Sequence, residues 1–329
     1  MLLSRHTRRR EVLALLGAIA WISKSQAQQV TKPVIGFLRS TSSRPFEHLV
    51  SAFRDGLRET GFVEGVNVEV EYRYADNDLA RLPSLVSELG SRRAAVIVGN
   101  RLAVQAIMAA DPTMPVVFAV AEDPVETGLV SSLSRPSGNA TGVSFFGGAA
   151  LDVKRLEILH EIIPAGLPIA VLLDVEYGQG ERALPSVAAA ARSLRRAIIV
   201  VRSSWAELNA AFDDVARAQA GALLVSGSPG FTSRQHELVT LAARHGLPAS
   251  YDQRAYVELG GLMSYAAELS GAYRQVGIYA GRILKGDKPA DLPVALPTKF
   301  ELVINLRTAR SLGLVIPPTL LARADEVIE

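Results

Sequence analysis

Short apolar runs alternate with amphipathic stretches along most of the chain. Pro33 to Leu38 (PVIGFL), Ala94 to Val98 and Pro115 to Val120 are nearly unbroken apolar segments. Runs of this kind suit parallel strands covered on both faces. Between them, Phe46, Leu49, Val50, Phe53 and Leu57 recur at three- and four-residue spacing, as do Leu79, Leu82, Leu85, Val86 and Leu89. Each set predicts a helix with one apolar face. Leu102 to Ala110 predicts a shorter one. Val66 to Tyr72 alternates apolar and polar residues, which places that strand near a sheet edge. The repeated order of strand, loop and helix implies right-handed crossovers and a parallel sheet.

The second half repeats the plan. Strands are predicted at Ile169 to Asp174, Ala197 to Val201, Ala222 to Val225, Pro248 to Tyr251 and Leu262 to Ser264. Helices are predicted over Leu151 to Ile163, on the faces carrying Leu184, Val187, Ala191 and Leu194, and on those carrying Leu208, Phe212 and Val215. A long helix through Leu269, Tyr273, Val276, Ala280 and Ile283 is expected to return to the first half; a late strand follows at Phe300 to Asn305. The pivot is Pro115 to Gly147. It reads as a buried strand, a break at Pro124, a short helix over Val125 to Leu133, a turn at Arg135 to Asn139, and a strand over Thr141 to Phe146. Here one α/β lobe ends and the chain crosses to a second. No low-complexity linker separates them.

The first residues read as an address. Arg5, Arg8, Arg9 and Arg10 precede an apolar run, Val12 to Ile22, that is too short for a stable anchor. Ser25-Gln26-Ala27 offers a cleavage site, so residues 1–27 are expected to be a secretory signal. Arg9-Arg10-Glu11-Val12-Leu13 resembles a twin-arginine signal, with Val12 where Phe is usual. The chain is expected to be exported, periplasmic and soluble.

Composition narrows the chemistry. The 329 residues suffice for two domains. A net charge of +2 argues against a nucleic-acid binder that relies on a basic face. The chain has 0 cysteines, which removes disulfides, thiolate nucleophiles and cysteine metal sites.

In open α/β sheets, ligands bind beyond the carboxyl ends of the strands. That rule selects Ser40, Thr41, Ser42, Asn100, Arg101, Glu122 and Asp123 in the first lobe. In the second it selects Asp174 to Tyr177, Ser226, Ser228, Tyr251 and Asp252, and Tyr265 joins them as a candidate apolar wall. The set combines hydroxyls, amides, carboxylates and tyrosines. It suits a small polar or zwitterionic solute: hydroxyls and Asn100 or Arg101 for a carboxylate, Glu122 or Asp252 for an amine, and Tyr177, Tyr251 or Tyr265 for an apolar part. Each residue taken singly could also be a helix cap.

Catalytic patterns are missing. Ser226 stands where a nucleophile elbow needs its first glycine. Gly178-Gln179-Gly180 lacks the third glycine of a dinucleotide fingerprint, and no Walker A pattern occurs. His48, His160, His236 and His245 are scattered, without metal-ligand spacing. No catalytic residue, cofactor or metal is expected.

Asp123-Pro124-Val125, Gly128-Leu129-Val130 and Arg135 to Gly142 (RPSGNATG) resemble the signature of a family of ABC-transporter substrate-binding proteins that includes tryptophan and tyrosine binders. Lys154-Arg155-Leu156-Glu157, Gly261 to Tyr265, Ala272 to Gln275 and Pro297 to Asn305 extend the likeness over nearly the whole chain beyond the signal. The resemblance implies a type I periplasmic-binding-protein fold: two Rossmann-like lobes with parallel sheets joined by a hinge of three crossing strands. One lobe would take 33–146 and 266–298, the other 147–265 and 299–329. It implies a non-enzymatic, monomeric receptor that hands a small solute to the permease and ATPase subunits of an importer. Asn100-Arg101-Leu102, Ala121-Glu122 and Asp174 to Tyr177 depart from the family's habit at the expected cleft, so an aromatic ligand does not carry over. An α/β hydrolase or transferase, or a sensory receptor on the same fold, are the competing readings.

Overall fold

The computed structural model describes residues 32–145, 148–297 and 299–329. The architecture below is that of the compact unit Val34–Glu329. The expected signal, the expected boundary at 146/147 and Thr298 lie outside the described residues.

One sheet is wholly parallel. Its strands are β1 (Val34–Arg39), β2 (Glu69–Tyr74), β3 (Val96–Gly99), β4 (Val116–Val120) and β5 (Ala140–Ser144), in the order β2-β1-β3-β4-β5. Every residue of β3, β4 and β5 is buried, as the unbroken apolar runs require of covered strands. The alternating strand β2 is the partly exposed edge. Helices α1 (Glu47–Glu59), α2 (Leu82–Ser91) and α3 (Arg101–Ala110) cover the faces. Val125 to Leu133, expected as a helix, forms a turn over 124–128 followed by bends instead. Asp123 Oδ1 accepts from the amides of Val125 and Glu126, and Leu129 and Val130 both donate to the Pro124 carbonyl. Gly128 then takes φ +73°, a conformation that stops a helix and suits glycine.

The other sheet holds β6 (Ile169–Asp174), β7 (Ile198–Ser203), β8 (Ala222–Val225), β9 (Ala249–Tyr251), β10 (Met263–Ala267), β11 (Phe300–Asn305) and β12 (Glu326–Ile328). Their order is β12-β11-β10-β9-β8-β6-β7. All neighbours pair in parallel except β10 with β11. The exception follows from the path: β11 is entered after an excursion to the first lobe and runs back along β10. Helices α4 (Gly148–Ile162), α5 (Gln179–Ser193), α6 (Leu208–Arg217), α7 (Pro229–Ser233), α8 (Gln235–Arg244) and α9 (Arg254–Glu258) precede the long α10 (Leu269–Leu284); α11 (Leu306–Ser311) and α12 (Pro318–Leu321) end the chain. The five-residue α7 and α9 are too short to show helical periodicity.

Although α10 follows a strand of the second sheet, it packs on α1 in the first lobe. Glycines make the approach possible. A Cβ on Gly56 would lie 1.9 Å from the Arg274 carbonyl oxygen, and one on Gly277 2.1 Å from that of Phe53. Val276, Ala280 and Tyr273 thereby join Phe53, Leu57 and Leu49 in one core. After α10, Ala295 bridges to Val143 of β5 before the chain recrosses to β11. The chain therefore passes between the sheets after β5, after β10 and before β11.

Candidate functional site

In each sheet the strand order reverses at one point: between β1 and β3 in the first, between β6 and β8 in the second. A crevice opens there because the crossover helices diverge to opposite faces. In the first lobe Asn100, which follows β3, ties down the loop after β1. Its Oδ1 accepts from the Ser40 amide at 3.1 Å and its Nδ2 donates to Ser40 Oγ at 2.8 Å. In the second lobe Ser228 Oγ caps α7 by accepting from the Phe231 amide at 2.9 Å and donates to Asp174 Oδ2 at 2.5 Å. Burial raises the Asp174 pKa, while the Ser228 hydroxyl and the Glu176 amide oppose the rise. Each switch point is thus braced by a bond between its own two loops.

The two switch points face a common chamber of about 510 Å³, mouth included. Its first-lobe wall is Arg39, Phe46, Asn100, Arg101, Ala121 and Glu122, and its second-lobe wall is Tyr177, Gly227, Ser228, Thr232, Asp252 and Gln253. Leu269 and Tyr273 of α10 close the hinge side. A side chamber of about 590 Å³ adjoins it through Ala121, Phe145, Gly227, Asp252, Gln253 and Leu269, and is walled further by Asp152, Arg155, Gln179 and Tyr265.

Contacts across the gap hold the lobes together. Arg101 Nε lies 2.5 Å from Glu122 Oε1, and its guanidinium carbon lies 5.1 Å from the centre of the Tyr177 ring. Burial first, and then the Glu122 carboxylate, push the Tyr177 phenol well above its ordinary pKa, so it stays protonated and can donate to Glu122. Gln179 Nε2 donates to the Ala121 carbonyl at 3.1 Å, and Ser233 Oγ to Asn77 Oδ1 at 3.3 Å.

The expected residues divide clearly. Asn100, Arg101, Glu122, Tyr177, Ser228 and Asp252 line the central chamber, and Tyr265 lines the side chamber. Ser40 and Thr41 line neither chamber but a neighbouring cleft, with Asp174 and Tyr177 across from them; Ser40 bonds to Asn100, and Thr41 Oγ1 accepts from Arg39 Nε at 3.3 Å. Asp174 sits beneath Ser228. Ser226 is buried against Gly180, its hydroxyl unpartnered. Ser42 is half-buried and lines neither chamber, and Asp123 caps its turn and faces an outer groove with Glu126 and Arg182. Tyr251, expected at the apolar wall, requires correction. It is 1% exposed and stacks on Tyr256 with ring centres 4.6 Å apart inside the second-lobe core. Successive strand residues point to opposite faces, so Asp252 reaches the chamber and Tyr251 cannot.

Sequence reasoning does not reach Arg39, Arg155 or Tyr273. Arg39 is the last residue of β1 and therefore sits at a strand tip, the one signal that could have found it. Arg155 and Tyr273 lie on helices, where the strand-tip rule is silent. Burial raises the Asp252 pKa, while the nearby Arg155 cation opposes the rise. Among the described residues, no cluster of three His, Cys, Asp or Glu side chains is arranged to hold a metal ion, and no helix is long and apolar enough to cross a membrane.

This geometry has relatives. A tyrosine-binding protein of Clostridioides difficile (strain R20291) is 24% identical over 288 residues, which is 85% of this chain and 81% of that one. A Streptococcus pneumonia ABC domain solved in complex with L-Trp is 25% identical with a TM-score of 0.82, covering 91% of this chain and all 100% of that one. A conserved domain protein of Vibrio cholerae superposes with the same TM-score, 0.82, at 24% identity over 90% of this chain and 100% of its own. These neighbours share the two-lobed type I periplasmic-binding-protein fold. The family model for ABC transporter substrate binding proteins matches residues 35–328, and the chain belongs to that family.

Proposed function

We propose that this chain is the periplasmic receptor of an ABC importer, and that it binds a small polar, amino-acid-like solute between its lobes and delivers it to the permease and ATPase subunits. The observation that carries the reading is the chamber at the facing switch points, walled by both lobes. A solute held there touches both halves at once, so it favours the closed form over the open one, and only such differential affinity can drive closure. The tyrosine-binding relative and the L-Trp complex support an amino-acid-like solute. The basic and apolar order of residues 5–27 supports export.

The chain acts as a monomeric binder rather than an enzyme. Ser228, whose hydroxyl lies 2.5 Å from the Asp174 carboxylate, accepts from the Phe231 amide and donates its proton to Asp174, which is a cap and not an activated nucleophile. A thermal-shift screen of amino acids, small carboxylates and neutral polyols tests the reading. One solute class should raise the melting temperature with no product formed. Turnover of any bound compound, or no shift with any of them, would contradict it.

A further inference from the structure

The ionisable side chains of the two chambers can be sorted by whether the protein itself neutralises them. Arg101 is paired with Glu122 at 2.5 Å. Arg155, 2% exposed, is paired with Asp152 and donates to the Val225 carbonyl at 3.2 Å. Two groups remain. Arg39 is 5% exposed, and among the described residues no carboxylate lies within ion-pair distance of it. Its bonds go to neutral oxygens, Thr41 Oγ1 and the Tyr273 hydroxyl, and the Phe46 ring lies 3.7 Å from its guanidinium carbon. These contacts fix the fork without cancelling its charge. On the opposite wall Asp252 remains partly accessible, but its Oδ1 is sealed from solvent and has no hydrogen-bond partner. Arg155 beside it is already engaged by Asp152.

An isolated charge facing a low-dielectric cavity is costly unless something of opposite sign meets it. Here the two unmatched charges are of opposite sign, belong to different lobes and line the same chamber. We infer that Arg39 and Asp252 are the charge-recognition residues of the site: the solute is a zwitterion whose anionic group is taken by the Arg39 fork in the first lobe and whose cationic group is taken by Asp252 in the second. The solute's own two charges then bridge the lobes, and a molecule carrying only one of them leaves the other wall unmatched. The inference rests on the receptor reading above and goes further by excluding neutral polyols and simple anions as the preferred cargo.

The test is isothermal titration of the processed chain, recovered from the periplasm of an expression host. The probes are the proteinogenic L-amino acids, the deaminated acid and the decarboxylated amine of the best binder, D-glucose and myo-inositol. The best amino acid should bind at least tenfold more tightly than either single-charge analogue. Arg39→Gln should bring the amino acid and its amine to equal affinity, and Asp252→Asn should do the same for the amino acid and its deaminated acid. The wild-type series stands even if a variant folds poorly. A single-charge analogue binding within threefold of the amino acid would overturn the inference. So would variants that weaken all three compounds equally, since that marks a structural role. Tight binding of a sugar or polyol keeps the receptor and removes the charge assignment; binding by none of the probes removes both.

Discussion

The guanidinium of Arg101 in the first lobe faces the ring of Tyr177 in the second at 5.1 Å while holding Glu122 at 2.5 Å. One side chain therefore neutralises a carboxylate that is 1% exposed and also touches the opposite lobe. Arg101→Gln leaves Glu122 buried without its counter-ion, and the expected loss in urea melts is about 3 kcal/mol. Adding Glu122→Gln should recover much of that loss. If the single variant melts like wild type, the pair has no structural weight.

Gln179 supplies a second bond across the gap, to the Ala121 carbonyl. A net hydrogen bond contributes about 1 kcal/mol. Since this one exists only when the lobes meet, Gln179→Ala should weaken solute binding about fivefold in titrations and leave the melting temperature of the empty protein nearly unchanged. Equal losses in both measurements would mean that the bond is not specific to closure.

Glycine substitutions separate close packing from open surface. Gly277→Ala thrusts a Cβ to 2.1 Å from the Phe53 carbonyl oxygen, and the α1–α10 contact must yield at a cost of about 1–3 kcal/mol. Gly90 is exposed in α2, and a Cβ added there would meet nothing within 4 Å. Gly90→Ala should instead gain about 0.5–1 kcal/mol. Opposite signs in denaturant melts are the expected outcome.

Asp252 should make the empty protein pH-sensitive in a particular direction. The groups facing it are Arg155 and Asp152 of α4, Gln253 beside it and Tyr256 of α9. Its folded pKa is raised, so between the ordinary carboxylate range and that higher value the native state holds a proton that the unfolded state has lost. Stability from this group is full below the ordinary range and falls as pH rises through the folded value. Asp252→Asn cannot ionise, so unfolding free energies measured from about pH 4 to 8 should show the variant gaining on wild type as pH rises. A constant difference would mean that Asp252 is not perturbed by its burial.

Much of this arrangement is readable in the sequence, and the rest fails for identifiable reasons. Ser40, Asn100, Asp174 and Ser228 follow directly from apolar runs that end in polar loops, because strand tips are where a doubly wound sheet opens. Tyr251 is misplaced by sequence reasoning because a three-residue strand shows no alternation from which to tell its faces. Arg39 directly follows the apolar run Pro33 to Leu38, yet the hydroxyls beyond it draw the strand-tip rule to Ser40, Thr41 and Ser42 instead. Val125 to Leu133 carries helical spacing, yet the Asp123 carboxylate and Gly128 fold it into a turn and bends. Arg155 and Tyr273 reach the chambers from helices whose placement depends on long-range packing, and no local pattern reports it.

With 0 native cysteines, spin labels can be placed without background. Ser84→Cys on α2 and Ala210→Cys on α6 are both exposed and lie on different lobes. The direct measurement is the distance distribution between these labels, with and without the amino acid that gives the largest thermal shift. A saturating solute should collapse a broad distribution to one short, narrow distance, because the bound molecule touches both walls. A distribution that stays unchanged at saturation would contradict binding between the lobes.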